Sequence, residues 1–448
     1  MPAKKTARDL AVRALDLWQD GKGRPEDLVK DALDRSGLDT RDRALAMELF
    51  YGVIRNLSNL DFILSRFIKE PPKGVSDEVR DILRVAAYQV TYLDRIPAHA
   101  AVYEAVEQAK KKGKGTDRFV NGVLRAVLRG YKEIAYPDRG SAPSEFLSVK
   151  YSYPGWVAKR WLARLGFDEA EALMRAGNAV PPLTLRVNAL KADRPGLIAM
   201  LEGSGVGCRP TKYAADGIVI EGYTQVRELP GYANGLFAVQ DEAAQLVSIL
   251  IAPNPGERLL DLCAAPGGKT CHMAALAGDK AEITASDISL DKIRLMKENI
   301  RRLGVRSAHV VQADAGAPTP FKGGFDAVLL DAPCSALGVV RRRPEVKYTR
   351  RENDIARLAR LQAGMLANAA GLVRPGGRLV YAVCTTEPEE GERLIEGFLR
   401  ANTGYSLDDP YKYMPESARE LVTDKGYMRT YPHRHGTDGF FAARFVKR

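Results

Sequence analysis

The stretch LLDLCAAPGGKT, residues 259–270, constrains the fold of this chain more than any other part of the sequence. Its apolar run leads into a Gly-Gly turn followed by Lys-Thr, which predicts a buried strand that feeds a helix. Because Gly267 and Gly268 have no Cβ, the backbone can turn tightly there and approach a ligand, and the first N–H groups of the helix stay unpaired. The turn matches neither GxGxxG nor the P-loop pattern, so a tight connection without a ligand is the alternative.

Strands alternate with helices around and after this turn. The alternation predicts a parallel sheet that is covered on both faces and binds ligands at the carboxyl ends of its strands. Asp287, Asp314 and Asp331 stand at three of these ends, and Asp287 follows the glycines by about 20 residues, the offset of ribose-binding acids in doubly wound folds. The predicted elements are a helix over 241–251 and strands over 258–264, 282–287, 308–314, 326–333, 378–385 and 439–446.

The first 137 residues predict an all-helical domain. Apolar residues recur at helical spacing, for example Leu10, Ala14 and Leu17, and the stretches 71–74 and 95–97 divide the pattern into helices of ordinary length. The later part of this domain carries a basic flank, which is interpreted either as an RNA-contacting patch or as a solvated face. The flank consists of Lys110, Lys111, Lys112, Lys114, Arg118, Arg125 and Arg129.

The middle of the chain predicts a linker and a small α+β subdomain. Residues 138–144 are rich in Gly, Pro and Ser and form the predicted linker, and helices are expected over 154–176. Arg186 and Lys191 are candidate phosphate contacts, with surface solvation as the alternative. A β-α-β piece is predicted over 185–188, 194–202 and 217–220, and the predicted domains are 1–137, 145–235 and 236–448.

Charge and composition limit the class of partner. The 448 residues carry a formal charge of +11, with pI ≈ 9.3, so a polyanion such as nucleic acid is expected. No apolar run reaches the ~18 residues of a membrane helix and no signal-like start occurs, so we expect a cytoplasmic protein without membrane contact. The five cysteines form no CxxC pair, which argues against zinc and disulfides. For His433 and His435, solvent or backbone hydrogen bonding is favoured over a metal.

Residues 1–137 resemble the NusB-like RNA-binding domain. The resemblance is carried by ELFYGVIR at 48–55, IPAHAAV at 96–102 and RFVNGVLR at 118–125. His99, in the second of these motifs, is interpreted as a structural hydrogen-bonding residue. The β-α-β piece resembles an RRM-like subdomain in topology only, since it lacks the RNP aromatic motif.

The C-terminal region resembles class I (Rossmann-like) S-adenosylmethionine-dependent methyltransferases, and more narrowly the RNA cytosine-5 methyltransferase family. Fusion to a NusB-like segment points to the bacterial RsmB (Sun/Fmu) branch. The resemblance implies S-adenosylmethionine as cofactor, a cytosine of small-subunit (16S) ribosomal RNA as substrate, and a monomer. The motifs are CAAPGGKT from Cys263, DAPCSALGVVRRRPE from Asp331, YAVCTTEPEE from Tyr381, QDEAAQL from Gln240 and DGFF from Asp438.

The same resemblance implies a role for each motif residue. Cys384 would be the nucleophile, Cys334 would assist product release, and Asp331 would lie between the cofactor and the base. Val383 stands where the family usually has Thr or Ser, and loss of that hydroxyl would weaken activation of Cys384. The cofactor would be held by Cys263, Ala264, Ala265, Pro266, Gly267, Gly268 and Lys269, with Asp287 at the ribose hydroxyls and Asp314 at the adenine.

The reaction itself calls for these residue types. Carbon 5 of cytosine is a poor nucleophile until a thiolate adds to carbon 6. A thiolate forms near neutral pH when a cation or a helix N-terminus lowers the pKa of the cysteine, and Lys269 is a candidate for that cation. Cys334 and Cys384 both lie at the ends of predicted strands, on the ligand edge of the sheet, whereas the other three cysteines are expected to be small buried hydrophobes.

Several alternatives stay open at this point. Arg341, Arg342 and Arg343 are predicted to contact phosphate beside an unpaired target base, with plain solvation as the alternative. A DNA cytosine-5 enzyme would use the Pro-Cys cysteine and carry a target-recognition insertion, and an amino-group methyltransferase would show Asn/Asp-Pro-Pro-aromatic at the position of DAPC. The substrate could instead be tRNA or another RNA. A non-catalytic RNA-binding ribosome assembly factor is the alternative from a different class.

Overall fold

The described part of the chain, residues 6–68, 76–222, 225–318 and 320–448 of the computed structural model, divides into two units. One unit comprises Met1–Asn178 with the short segment Arg343–Thr349, and the other comprises Ala179–Arg342 with Arg350–Arg448. The break predicted at 71–74 lies outside the described residues. Among the helices described, none combines the length and apolarity that crossing a membrane requires.

The first unit consists of helices whose starts follow from local sequence. The Thr6 hydroxyl accepts a hydrogen bond from the Asp9 N–H at 3.2 Å, and the Asp9 carboxylate accepts one from the Thr6 N–H at 2.9 Å, a capping box that begins the first helix. The predicted helical domain is confirmed. The helices are α1 (Ala7–Gln19), α2 (Pro25–Asp34), α3 (Thr40–Arg55), α4 (Leu57–Phe67), α5 (Asp77–Tyr92), α6 (Ala98–Lys110), α7 (Thr116–Gly130), α8 (Pro143–Tyr151), α9 (Gly155–Leu165) and α10 (Phe167–Asn178).

Helices α8 to α10 pack in this unit. The Asn59 N–H donates to Ser152 Oγ at 2.8 Å, which ties α4 to the end of α8. The stretch 138–144, predicted as a linker, forms an ordered turn in which the Asp138 carboxylate accepts hydrogen bonds from two backbone N–H groups that follow it. The division into domains 1–137, 145–235 and 236–448 stays a prediction.

The second unit contains a small antiparallel sheet. Its elements are β1 (Leu183–Val187), α11 (Arg194–Gly203), β2 (Cys208–Pro210), β3 (Gly217–Ile220) and β4 (Phe237–Val239). The strands pair in the order β2-β3-β1-β4. The β-α-β piece is confirmed, and β2 and β4 escaped the sequence analysis because three-residue strands are too short to show a period of two.

The rest of the unit alternates strands with helices, as the sequence predicted. The segments that were predicted as strands form strands here, with ends shifted by a few residues. In chain order they are α12 (Glu242–Ile251), β5 (Arg258–Leu262), α13 (Gly268–Leu276), β6 (Glu282–Asp287), α14 (Leu290–Leu303), β7 (Ala308–Gln312), β8 (Phe325–Asp331), α15 (Val346–Thr349, in the helical unit), α16 (Glu352–Leu372), β9 (Val373–Val383), α17 (Glu392–Ala401), β10 (Tyr405–Leu407), β11 (Met428–Arg429), α18 (Pro432–His435) and β12 (Phe441–Lys447).

The strand order of the large sheet locates its ligand edge. The order is β10-β12-β9-β8-β5-β6-β7, with β11 beside β12. Strands β5 to β9 are parallel, and the chain moves from β5 to one side through β6 and β7 and then returns to the other side at β8. Such a reversal places a crevice at the carboxyl ends of β5 and β8. The expectation of a wholly parallel sheet is wrong for β12, which is antiparallel to β9, because an apolar pattern does not record strand direction.

The short segment that carries α15 belongs to the helical unit although both of its chain neighbours belong to the other unit. Lys347 Nζ donates to the Arg55 carbonyl at 2.6 Å and to Asn178 Oδ1 at 2.9 Å. Burial holds the pKa of Lys347 well below its usual range. The chain that follows the Pro-Cys motif is therefore anchored among the helices by a buried lysine.

Candidate active site

The Gly-Gly turn lies at the carboxyl end of β5, beside the reversal in strand order. Gly267 has φ +92°, and a Cβ at this position would come within 2.9 Å of Met296 Cγ, so both conformation and space require glycine. The Asn299 amide donates to the Pro266 carbonyl at 3.0 Å and supports the turn from α14. The backbone therefore bends around the N-terminus of α13, as the sequence pattern predicted.

A buried arginine of the small sheet holds this turn. Arg186 Nη1 donates to the Gly268 carbonyl at 2.6 Å and also to Gln240 Oε1. Arg186 is only 2% exposed, and burial lowers its pKa to about 10. The interpretation of Arg186 as a phosphate contact is wrong, because its guanidinium lies in the interior and fixes the backbone of the turn.

Acidic side chains from neighbouring strands meet around the turn. Burial, followed by the carboxylates of Asp331, Asp287, Asp261 and Asp314, raises the pKa of Cys263 to about 12. Cys263 also has φ +60°, a left-handed conformation that side chains with a Cβ rarely adopt and that recurs at ligand sites. The strand-end acids named from the sequence therefore share one electrostatic neighbourhood.

Two of these acids leave their charge free for a ligand. The Asp287 carboxylate accepts the N–H groups of Ala265 at 3.3 Å and Ser289 at 2.9 Å. Asp314 Oδ1 accepts the Gly316 N–H at 2.8 Å. Neither carboxylate forms an ion pair with any residue that the structure describes, so both retain acceptor capacity for hydroxyl or amino groups.

Asp261 is a site residue that the sequence analysis did not name. It is fully buried in β5, where its Oδ2 accepts the Thr270 hydroxyl at 2.6 Å. Its Oδ1 has no hydrogen-bond partner within the described ranges. Burial raises its pKa to about 7. The available signal was an acidic residue inside an apolar strand immediately before the glycine turn.

Lys269, in the first turn of α13, pairs with Asp331 at the end of β8. Its Nζ lies 2.6 Å from Asp331 Oδ2 and 5.5 Å from the centroid of the Phe440 ring. Burial lowers the pKa of Lys269, but Asp331, Asp261 and Cys384 raise it by more, so the ammonium remains charged. Cys384 is therefore within electrostatic reach of the cation proposed from the sequence.

Cys334 and Cys384 follow β8 and β9, parallel neighbours in which Asp331 is opposite Ala382. Their sulfur atoms lie 3.3 Å apart and both thiols are free. The hydrogen bond to Cys384, together with burial, raises the pKa of Cys334 well above its usual value. Either sulfur can donate the hydrogen bond between them, and Cys384 is the more exposed of the two. Val383 is fully buried in the core of the sheet.

A buried network that the sequence analysis missed joins the two cysteine loops. Ser335 Oγ, after the first cysteine, lies 2.8 Å from Thr385 Oγ1, after the second. The buried Glu390 carboxylate accepts the Ser335 N–H at 2.8 Å, the Ser335 hydroxyl at 2.5 Å and the Gln362 amide at 2.9 Å. The only sequence signal was the place of Glu390 at the end of YAVCTTEPEE. The network fixes the spacing of the loops that carry the two thiols.

Arg341 and Arg342 are engaged by carboxylates of the same unit. Their Nε atoms donate to the two oxygens of Asp438 at 2.5 and 2.6 Å, and their Nη2 atoms lie 3.2 and 2.9 Å from Asp241 Oδ2. Arg341 is 5% exposed. The prediction that these two arginines contact phosphate is wrong, because the QDEAAQL and DGFF motifs supply acids that pair with them. Arg343 keeps 51% of its side chain exposed.

The remaining candidates have structural partners. Lys191 is exposed, and its Nζ donates to the carbonyls of Asn234 at 2.9 Å and of Arg302, near the end of α14, at 3.0 Å. Its interpretation as a phosphate contact stays a prediction. His435 Nδ1 accepts the Tyr431 N–H at 2.8 Å, the backbone hydrogen bonding that was favoured for it. In the part of the chain that the structure describes, no group of three His, Cys, Asp or Glu side chains could hold a metal ion.

Three family models match successive parts of the chain. The model described as 16S rRNA methyltransferase RsmB/F matches residues 248–446, the NusB family model matches residues 5–129, and the RsmF/B-like ferredoxin-like domain matches residues 153–227. These ranges contain the large sheet, the helices α1 to α7, and most of the small sheet. The order of matched families is the order that the sequence resemblance predicted.

Similarity to individual proteins extends over the whole chain. The chain is 37% identical over 449 residues to the probable ribosomal RNA small subunit methyltransferase B of Bacillus subtilis (strain 168), which covers 99% of each chain. It is 36% identical over 451 residues to the ribosomal RNA small subunit methyltransferase B of Salmonella typhi, which covers 100% of each.

Solved structures agree with these matches. The crystal structure of PH0851 aligns with a TM-score of 0.82 and 28% identity over 100% of this chain and 99% of that chain. NSun6 from Pyrococcus horikoshii, solved with SFG, aligns with a TM-score of 0.59 and 25% identity over 66% of this chain and 98% of that chain. This chain, with its NusB-like helices, ferredoxin-like sheet and RsmB/F methyltransferase sheet, belongs to the family of ribosomal RNA small subunit methyltransferase B.

Proposed function

We propose that this protein transfers a methyl group from S-adenosylmethionine to carbon 5 of a cytosine in small-subunit (16S) ribosomal RNA. The observation that carries the proposal is the pair of free thiols, Cys334 and Cys384, whose sulfur atoms lie 3.3 Å apart at the ligand edge of the sheet. Addition of a thiolate to carbon 6 is the step that makes carbon 5 of a pyrimidine reactive. A charged lysine, Lys269, stands within reach of the same edge.

The residues around the glycine turn fit S-adenosylmethionine. That molecule combines a sulfonium, an ammonium and two ribose hydroxyls, all of which favour acceptor oxygens, and the carboxylates of Asp287, Asp314 and Asp331 surround the turn. NSun6 from Pyrococcus horikoshii was solved with SFG, an analogue of this cofactor. Asp287 would hold the ribose hydroxyls and Asp314 would lie at the adenine, with the turn 263–269 against the methionine end. When bound, the cofactor supplies a methyl group as an electrophile.

The chemistry on the base is assigned to side chains of this chain. The Cys384 thiolate forms a bond to carbon 6, and Asp331, hydrogen-bonded near N3, favours that addition, which leaves an electron pair at carbon 5. Carbon 5 would take the methyl group as the bond from that methyl to the sulfonium sulfur breaks and its electrons stay on the sulfur, and the carbon 5 proton would then pass to a base. The electrons of the broken C–H bond restore the C5–C6 double bond and expel the Cys384 thiolate. Overall, one proton leaves carbon 5 and one methyl group replaces it.

The surroundings of the two thiols support Cys384 as the nucleophile. Cys334 is buried, and its raised pKa keeps it protonated, so it acts as a hydrogen-bond donor toward the neighbouring sulfur. A donor beside Cys384 stabilises the thiolate both before addition and as it leaves. This assigns attack to Cys384 and assistance in breakdown of the adduct to Cys334.

Single cysteine variants test the assignment. Cys384→Ala should form neither covalent complex nor product with unmodified small-subunit RNA and tritiated S-adenosylmethionine. Cys334→Ala should still attack and should accumulate a protein–RNA species that survives a denaturing gel. Cys208→Ala, which changes a cysteine of the small sheet, should behave as the unchanged protein.

Four outcomes would overturn the proposal or a part of it. A trapped complex in Cys384→Ala but not in Cys334→Ala would indicate the order of cysteines used by DNA enzymes. Full methyl transfer in both variants would remove the cysteine mechanism. Absence of any methyl transfer by the unchanged protein would favour the non-catalytic assembly factor, and transfer to tRNA alone would replace the proposed substrate. Bisulfite mapping of the product identifies the modified cytosine.

A further inference from the structure

A groove with a volume of about 470 Å³ lies between α6 and α7 of the helical unit. Its volume is within the range of about 300–1,000 Å³ that is usual for sites that take a ligand of nucleotide size. None of the residues that line it is acidic. The lining consists of His99, Val102, Tyr103, Val106, Asn121, Arg125, Leu128 and Arg129.

The groove combines an apolar floor with an exposed aromatic ring. Val102 is buried, and Val106 and Leu128 are half-buried. Tyr103 is 63% exposed, so its ring is covered by little of the described structure. An exposed tyrosine above an apolar floor offers a surface on which a flat base can stack, because any base presents a π-face.

The rim of the groove carries two arginines that form no ion pair within the described ranges. Arg125 and Arg129 are exposed and one helical turn apart on α7, and neither forms an ion pair within the described ranges. Arg125 Nε donates to Asn121 Oδ1 at 3.0 Å, which holds the guanidinium at the groove. Residues 98–130 carry seven lysine and arginine residues against three acidic ones. The His99 side chain makes no hydrogen bond within the described ranges and is exposed at the same rim. The interpretation of His99 as a structural hydrogen-bonding residue is therefore wrong.

We propose that this groove binds one unstacked nucleotide of a single-stranded RNA segment, with the base on Tyr103 and the adjacent phosphates at Arg125 and Arg129. The proposal rests on the proposed function only in that the substrate is RNA. Duplex RNA keeps its bases stacked and cannot present a free base face to the groove, so the site selects unpaired RNA. It adds a binding site on the helical unit to the cysteine site of the sheet.

The charge of the groove favours RNA over a protein partner. A protein helix seated in an apolar groove would need acidic residues to satisfy two unpaired guanidinium groups, whereas RNA supplies a negative charge with every nucleotide. The exposed ring and the two cations also line the same groove, an arrangement that suits a base and its own phosphates. A protein occupant is therefore an outcome of the test.

The test measures binding of the full-length protein to a fluorescein-labelled 12-nucleotide single-stranded RNA of mixed sequence and to the same RNA annealed as a duplex. Tyr103→Ala should weaken single-strand binding about tenfold and leave duplex binding unchanged. Tyr103→Phe, which keeps the ring, should restore the native affinity. Arg41→Gln removes an exposed arginine of α3 and should change neither. Thermal unfolding checks that each variant is folded.

The arginines are tested through salt. Arg125→Gln combined with Arg129→Gln should flatten the slope of log K against log salt by roughly 0.7 per lost phosphate contact for a single strand. A crosslink from 4-thiouridine RNA should map to the peptide that contains Tyr103.

Unchanged affinity in Tyr103→Ala, or equal losses for single-stranded and duplex RNA, overturns the proposal and leaves the groove as a surface for a protein. This result is separable from the proposed function. If the unchanged protein methylates small-subunit RNA while Tyr103→Ala binds the 12-mer normally, only the groove assignment fails. If the unchanged protein transfers no methyl group but Tyr103→Ala loses the 12-mer, only the proposed reaction fails.

Discussion

Two pairs of arginines in this protein differ in what surrounds them. Arg341 and Arg342 occur in a run of three arginines, yet two buried carboxylates of their own unit engage both guanidinium groups. Arg125 and Arg129 are spaced along a helix, remain exposed, and have no acidic partner within the described ranges. The denser basic run is therefore the one with less charge to offer RNA.

The difference shows that local charge density is a poor guide to a binding surface. A guanidinium that leaves water needs acceptors from elsewhere in the chain, which are carboxylates for Arg341 and carbonyl or amide oxygens for Arg186. An exposed arginine needs no such partner and can neutralise a phosphate. Charges that the fold has already satisfied should therefore respond to mutation differently from charges that it has left for a ligand.

The largest effect is expected where a satisfied charge loses its partner. Asp438→Ala leaves the buried Arg341 and the partly exposed Arg342 with Asp241 as their one carboxylate partner within the described ranges. It should lower the free energy of unfolding by about 3–5 kcal/mol in urea denaturation. Asp424→Ala removes an exposed acid of the same region and should cost no more than about 0.5 kcal/mol. Equal costs in the two variants would contradict the division between buried and exposed charges.

Asp261 is a buried acid that forms no ion pair within the described ranges, and its stability contribution should depend on pH. Burial raises its folded pKa to about 7 from the ordinary 3.8. Between these values the native state binds more protons than the unfolded state, so stability falls as pH rises through this window. Asp261→Asn cannot ionise and should gain about 2–4 kcal/mol relative to the unchanged protein between pH 4 and pH 7. Parallel pH–stability curves would show that the carboxyl does not titrate there.

Asp287 belongs with the charges left for a ligand, although it lies in the same unit as Asp438. Asp287→Ala should weaken binding of S-adenosylmethionine by about 1–3 kcal/mol in calorimetry, because hydrogen bonds to a charged acceptor are lost. Asp291→Ala changes an exposed neighbouring acid that pairs with Arg294 and should leave the affinity unchanged. Native affinity in a folded Asp287→Ala variant would remove the ribose assignment.

The smallest effect is expected at Arg343, which is both exposed and paired with an acid. It is half-exposed and lies 3.0 Å from a Glu345 oxygen, so its charge is compensated at the surface. Arg343→Gln should change the free energy of unfolding by less than about 1 kcal/mol and leave the salt slope of RNA binding unaltered. If the salt slope of RNA binding in Arg343→Gln fell by about one, Arg343 would contact a phosphate, as its position after the Pro-Cys motif predicted.

The elements at the ligand edge were predictable because their signals are local. The apolar run, the glycines and the acid that ends each strand lie within a few residues of one another, and the parallel β-α-β rule then brings strand ends together. Cys334 and Cys384 are 50 residues apart in sequence, but each lies at the end of a predicted strand. Glu390 escaped the analysis because its partners Ser335 and Gln362 come from two other segments.

The sequence by itself determined the helical domain, the alternation of strands and helices, the acids at the strand ends and the glycine turn, since propensity and periodicity act over a few residues. Only the tertiary structure decided the partners of charged side chains. Arg186 supports a glycine turn 82 residues away, and Lys191 binds a carbonyl 111 residues away. Whether a cation is buried, paired or free depends on which distant acids and carbonyls the fold brings within about 3 Å, and no local pattern encodes that distance.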